Sequence, residues 1–133
     1  MSIEAEILES YRVIAVVGLS PNPERTSNHV CSYLKEQGYK IIPVNPTTTE
    51  ALGESCYPDL LSVPGAVEVV QVFRRSEDVL PVVEQAIKIG ARAIWMQEGI
   101  VNEEAALKAR QAGLLVVMDR CMLKEHQGLK GGS

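Results

Sequence analysis

Val13-Ile-Ala-Val-Val17-Gly18-Leu-Ser-Pro-Asn-Pro-Glu-Arg-Thr-Ser27 is the stretch whose reading decides the fold. Its first five residues are apolar and rich in β-branched side chains, with no polar alternation. Such a run suits a strand buried on both faces, as in a parallel sheet. Gly18 ends the run and lets the chain turn sharply. Beyond the loop, Val30, Cys31 and Leu34 recur at helical spacing, with Ser27 placed to cap the helix and Gly38 to close it in the left-handed conformation. A strand, a glycine turn and a helix make the opening of a βαβ unit.

Four further runs read as buried strands: Lys40-Ile-Ile-Pro-Val44, Ala66-Val-Glu-Val-Val-Gln-Val72, Ala91-Arg-Ala-Ile-Trp-Met96 and Leu114-Leu-Val-Val-Met118. Pro43 cannot donate to a ladder, so it belongs near the end of its strand. Helical patterns separate the runs. Val79, Val82, Val83, Ala86 and Ile87 form one stripe, capped by Asp78 so that Pro81 falls in the first turn. Another helix starts at Asn102, carries Glu103 and Glu104 at its positive end and stops before Gly113. Residues 3–10 read as a small helix with Ile3, Ile7 and Leu8 inward. Residues 47–65 hold at most a short helix at Pro58-Asp-Leu-Leu61. The prediction is an α/β, single-domain, Rossmann-like, doubly wound parallel sheet of about five strands in the order 3-2-1-4-5. The domain covers residues 1–125, with 126–133 as a flexible tail.

Composition bounds the function. The 133 residues are 46% hydrophobic and 23% charged, a globular balance. No apolar run approaches the roughly 20 residues that span a bilayer, and the acidic start lacks the basic flank of a signal peptide. These features place the protein in the cytoplasm, away from membranes. Cys31, Cys56 and Cys121 have no metal-ligand spacing and read as reduced thiols. A net charge of −4 argues against broad nucleic-acid binding.

In a sheet of this kind ligands bind at the carboxyl ends of the strands, where strand order reverses. After the first strand, Ser20, Arg25, Ser27 and Asn28 gather hydroxyl, amide and guanidinium donors at a helix N-terminus, a setting for phosphate oxygens. The loop is not G-x-G-x-x-G, because Ser20 stands where a second glycine would be, and a plain connecting loop explains it equally well. After the second strand, Asn45 is neutral where a dinucleotide site has an acid for the ribose; Asn45-Pro46 also reads as a turn. Arg74 and Arg75 can meet an anion or stay a solvated pair. Gln97 and the Gly99 turn are plausible ligand groups, whereas Trp95 reads as core. His29 reads as a helix-surface residue and His126 as a surface group. Cys121 reads first as a buried, inert thiol, with a reactive thiol beside Arg120 as the alternative. These residues assemble no catalytic set and no metal motif.

Gly18-Leu-Ser-Pro-Asn-Pro-Glu-Arg-Thr-Ser27, Gly38-Tyr-Lys-Ile-Ile-Pro-Val-Asn-Pro46, Val72-Phe-Arg-Arg75, Ile94-Trp-Met-Gln-Glu-Gly-Ile100 and Val117-Met-Asp-Arg-Cys121 together resemble the small stand-alone CoA-binding proteins. That family is similar to the N-terminal CoA-binding domain of the succinyl-CoA synthetase α subunit. The resemblance spans roughly residues 10 to 125. It implies that Gly18, Leu19, Ser20, Pro21 and Arg25 hold the CoA phosphates, at the helix end where Ser27 reads as a further donor. It implies further that Val44, Asn45 and Pro46 line the nucleotide side, and Phe73, Arg74 and Gln97 the rest of the groove. The synthetase's phosphohistidine domain has no counterpart in these residues, so the resemblance carries CoA or acyl-CoA binding without the ligase reaction. Two other readings stand beside it. One is a small NAD(P)-dependent oxidoreductase or nucleotide-using transferase, against which Asn45 speaks. The other is a regulatory or partner subunit that senses acyl-CoA.

Overall fold

The computed structural model describes residues 1–131. In chain order the elements are α1 (Ile3–Ser10), β1 (Val13–Val17), α2 (Thr26–Glu36), β2 (Lys40–Val44), a hairpin of β3 (Glu50–Ala51) and β4 (Glu54–Ser55), β5 (Val69–Val72), α3 (Val79–Lys88), β6 (Ala93–Met96), α4 (Glu103–Gln111), β7 (Leu115–Val117) and α5 (Met122–Gly131). Single 3₁₀ turns cover Leu60–Ser62 and Ser76–Asp78. Five strands form one parallel sheet in the order β2-β1-β5-β6-β7.

Side-chain alternation along the strands builds two cores. Ile14, Val16, Val69, Ala93 and Trp95 point to the face covered by α1, α2 and α5, where they meet Ile7, Val30, Leu34 and Met122. Ala15, Val17, Val70, Ile94 and Met96 point to the face covered by α3 and α4, against Val79, Val83, Ala86, Ala105 and Ala109. Burying a side chain such as Leu34 contributes about 1.5–3 kcal/mol. The doubly wound, Rossmann-like α/β architecture read from the strand runs is therefore present.

The strand order differs from 3-2-1-4-5. Counted among the five long strands it is 2-1-3-4-5, because β5 pairs with β1 and not with β2. The place outside β2 is taken by a single residue. Tyr57 bridges Val44 in parallel; its N–H donates to the Pro43 carbonyl at 3.0 Å, and its carbonyl accepts from Asn45 N–H at 2.8 Å. Residues 45–65 are too rich in turns to extend a third strand there, and the chain then returns to the other side of β1. Winding still reverses between β1 and β5, so the crevice lies between Gly18 and Phe73. Pro43 sits within β2, with its missing N–H on the sheet's outer side.

Helix limits match the reading with several exceptions. Asp78 precedes α3, and the Asn102 side chain accepts from Ala105 N–H at 2.9 Å at the start of α4. Gly38 and Gly113 have φ of +100° and +90° after α2 and α4. Ile3 is 44% exposed and does not join the core that holds Ile7 and Leu8. The α2 N-cap is Arg25, not Ser27. The hairpin was not foreseen: its tip, Leu52-Gly53, has positive φ at both residues, as a two-residue I′-type loop requires, but Leu-Gly is a weak signal for it. The tail expected from His126 is helical as far as Gly131, because α5 packs against α1 and α2. Residues 132–133 lie outside the described residues.

Candidate functional site

The crevice begins at Gly18. Its N–H donates to the Val44 carbonyl at 2.9 Å, which binds the turn to the end of β2. Its φ is +94°, and a Cβ there would lie 2.9 Å from the Phe73 carbonyl oxygen. Both the conformation and the space demand glycine. The turn after β1 is thereby pressed against the end of β5.

The following loop is ordered by its own polar groups. The Ser20 N–H donates to Ser27 Oγ at 3.0 Å, and the Asn28 amide donates to the Ser20 carbonyl at 2.9 Å. Ser20 Oγ accepts from Asn22 N–H, and Asn22 Oδ1 from Glu24 N–H. Ser27 Oγ faces back into the loop, which is why it does not cap α2, and its hydroxyl proton remains available to donate. Arg25, at the N-cap position, supplies no side-chain cap. The first N–H groups of α2 therefore open outward unpaired, with the helix dipole behind them. Among the described residues the Arg25 guanidinium has no hydrogen bond or ion pair, and the residue is exposed.

Gly18, Ser20, Pro21, Arg25 and Ser27 line one cleft of about 640 Å³, closed on its other sides by Asn45, Thr47 and Phe73. Glu24 and Thr26 also border it. Leu19 does not: its side chain is fully buried under α2, and only its carbonyl serves the site. Asn45 is also committed. Its Nδ2 donates to the Leu19 carbonyl at 3.0 Å, and its Oδ1 accepts from the Thr47 N–H and hydroxyl at 3.0 and 2.8 Å. It ties the loops after β1 and β2 together, leaving one amide N–H beyond that bond.

Two further depressions adjoin the crevice. Val44, Pro46 and Arg74 line a small one of about 170 Å³ with Leu60 and Pro81. Gln97 lines a third, of about 500 Å³, with His29, Ile100 and Cys121. Thr26 and Phe73 border both the first cleft and the third, so the two share a wall. Arg75 is turned away, pairing with Asp78 at 3.2 Å. Arg120 also points elsewhere, toward the Asp119 carbonyl and Glu4. Trp95 is core, with its indole N–H on the Arg120 carbonyl. Thr26, in the first turn of α2, and Thr47, in the loop after β2, escaped the sequence reading because a single threonine carries no spacing signal.

Buried polar groups lead into the third cavity. The Cys31 thiol donates to Gln71 Oε1 at 3.5 Å, and Gln71 Nε2 donates to Gln97 Oε1 at 3.2 Å. Gln97 Oε1 also accepts from Met122 N–H at 3.3 Å. A backbone N–H can only donate, so this bond fixes which end of the amide faces α5. Gln97 Nε2 is left as the one buried side-chain polar atom without a partner among the described residues. An orphan of this kind costs about 1–3 kcal/mol. Burial pushes the Cys31 thiol above the ordinary cysteine range. His126 is half-buried beside α2, with its Nδ1 2.7 Å from the Tyr33 hydroxyl. Burial first, then Lys130 and Arg12, hold it below the usual histidine range. Among the described residues no cluster could hold a metal ion, and no helix is long and apolar enough to cross a membrane.

The chain is similar to known proteins over nearly its whole length. Uncharacterized protein YneT of Bacillus subtilis is 45% identical over 121 residues, covering 91% of this chain and 90% of that protein. A solved hypothetical protein from Pyrococcus horikoshii OT3 superposes with a TM-score of 0.94 at 47% identity, covering 98% of this chain and 94% of that one. Acetate–CoA ligase [ADP-forming] I of Archaeoglobus fulgidus is 25% identical over 84% of this chain, which spans only 18% of that enzyme's length. A family described as a CoA binding domain matches residues 12–127, and over that span, nearly the whole chain, the protein belongs to the CoA binding domain family.

Proposed function

We propose that the protein binds CoA or an acyl-CoA across the carboxyl ends of its strands. The observation that carries this is the uncapped N-terminus of α2, which opens beside the unpaired Arg25 into a 640 Å³ cleft at the point where strand order reverses. Free N–H groups, a helix dipole and a guanidinium suit a pyrophosphate. Gly18, Ser20, Pro21 and Ser27 shape the phosphate cradle, and the Leu19 carbonyl keeps Asn45 in place beside it. Val44, Asn45 and Pro46 bound the nucleotide side; Phe73, Arg74 and Gln97 continue the groove. The unpartnered amide of Gln97 suits a carbonyl oxygen, of which the CoA arm has several.

The chain by itself carries no ligase chemistry in this reading. His126 is engaged with Tyr33, and His29 lies exposed on α2 with no acid or base bonded to it. The free thiols fit a reducing cytoplasm. Calorimetric titration with CoA, dephospho-CoA and NAD tests the reading: CoA binds tightest, and Arg25→Ala weakens it about tenfold, or about 1.4 kcal/mol. Equal binding of NAD would replace it with a nucleotide-dependent oxidoreductase. Incubation with ATP, a carboxylate and CoA should yield neither acyl-CoA nor a phosphorylated histidine.

A further inference from the structure

The cleft at the start of α2 has little charge of its own. Among the described residues that border it, only Glu24 and Arg25 are charged residues, so their formal charges cancel. The turn before the helix sets them side by side. Asn22 Oδ1 accepts from the Glu24 N–H at 3.0 Å, and the Asn22 carbonyl accepts from the Arg25 N–H at 3.0 Å. Glu24 is exposed, and its carboxylate has no hydrogen bond or ion pair among the described residues. The first turn of α2 holds no acidic residue, so Glu24 is the acid closest along the chain to the unpaired N–H groups. Those groups add roughly half an elementary positive charge. The cleft can therefore hold an anion by hydrogen bonds, but it has little with which to neutralise a densely charged one.

Phosphates differ in this respect. A phosphate bridged on both sides carries a single charge, whereas a terminal phosphate carries about −1.5 to −2 near neutral pH. An internal diphosphate, as in CoA, thus brings far less charge to one place than a terminal triphosphate does. We propose that Glu24 is a specificity-determining residue that makes this cleft favour an internal diphosphate over a terminal polyphosphate, an inference that rests on the CoA-binding reading above. Glu24 works by repulsion, and an acid that repels the wrong ligand discriminates without touching the right one. Its carboxylate is exposed to solvent, so its reach is about 10 Å at 0.1 M salt. Within that range the cost falls on whichever ligand concentrates more charge. Dephospho-CoA isolates the effect, because its only phosphates are the internal pair.

The test is calorimetric titration of the whole chain with dephospho-CoA and with magnesium-free ATP, two adenosine ligands that differ in how their phosphates end. Glu24→Gln should tighten ATP at least about threefold and shift dephospho-CoA by less than about twofold. Raising the salt from about 0.05 to 0.5 M should erase most of that gain. Glu36→Gln removes the same charge from the exposed far end of α2 and should move neither ligand. An ATP affinity unchanged by Glu24→Gln, or ATP binding undetectable in both proteins, would overturn the proposal. An equal gain from Glu36→Gln would reduce the effect to net charge and overturn it too. Weaker binding of dephospho-CoA by Glu24→Gln would make Glu24 a ligand contact, with the same consequence. Titration of CoA into the unmutated chain tells the two failures apart: CoA bound with these ratios unchanged removes the role of Glu24 alone, and no binding of CoA removes the CoA-binding reading.

Discussion

Gly18 and Gly99 both follow buried parallel strands in left-handed conformations, with φ of +94° and +86°, yet they are held in different ways. Gly18 donates to a backbone carbonyl of the neighbouring strand and has the Phe73 carbonyl where a Cβ would go. Gly99 donates to a side chain, Asp119 Oδ1 at 2.7 Å, and nothing lies within 4 Å of its missing Cβ. Asp119 itself has a φ of +59°. The first turn is fixed by the sheet; the second hangs on a tether from the next loop. A phosphate cradle needs positions that do not yield, and the turn after β1 provides them. The region around Gln97 and Cys121 is bounded by side chains that can readjust.

Substitution of Gly18 gives the largest separation between the two turns. Gly18→Ala combines a left-handed alanine, about 1–2 kcal/mol, with a backbone collision of about 1–3 kcal/mol. Urea unfolding should show a loss of about 2–5 kcal/mol, and CoA affinity should fall with it. A loss below about 1 kcal/mol would mean that the contact with Phe73 is loose. Asn45→Asp comes next. It sets a carboxylate against the Leu19 carbonyl in place of an amide donor, leaving a buried acceptor unpaired at a cost of about 1–3 kcal/mol. In a thermal-shift series the variant should also lose more of its response to CoA than to dephospho-CoA, because the new charge repels the extra phosphate. Gly99→Ala should cost only the conformational term, about 1–2 kcal/mol, and should leave the affinity for CoA within about twofold as measured by calorimetry. A cost equal to that of Gly18→Ala would erase the contrast.

The smallest effect concerns α5, the wall of the yielding region. His126 is held below its ordinary value of 6.5, so the fold favours the neutral ring. The unfolded chain binds its proton first as pH falls. The contribution to stability is therefore full above about pH 6.5 and is lost as pH drops below it toward the folded value. The Tyr33 hydroxyl bonds this ring and Tyr39 packs edge-on against it, while the charges of Lys130 and Arg12 oppose its protonation. Melting temperature should decline slightly between pH 7 and 5, and His126→Gln should flatten the slope; an unchanged slope would show that the ring does not sense the packing.

The sequence made the sheet legible because runs such as Val13–Val17 and Ala93–Met96 have one reading at this length. Strand order was harder. Nothing in residues 45–65 announces that Tyr57 alone would occupy the outer flank of β2, since a single bridge has no periodicity. The hairpin hid for a related reason, with Leu52 standing at a position where asparagine would have signalled the turn. At the site, Gly18, Arg25 and Gln97 carried chemistry in their type and place. Leu19 could not be told from them, because whether a loop residue turns inward depends on α2. The commitment of Asn45 to the Leu19 carbonyl, and that of Ser27 to the Ser20 N–H, are long-range bonds that only the folded crevice creates.

Pro43 has a consequence for how copies of this protein meet. An open sheet margin displays alternating donors and acceptors on which another chain can build. On the outer margin of β2 the donor at Pro43 is absent, its carbonyl already accepts from Tyr57, and the Asn45 N–H is spent on the same residue. Strand addition from that side would meet one missing bond and two occupied ones, with the hairpin beside them. The opposite margin is β7, only three residues long. Extension of the sheet by another chain is thus opposed at one margin by an imino acid and at the other by brevity.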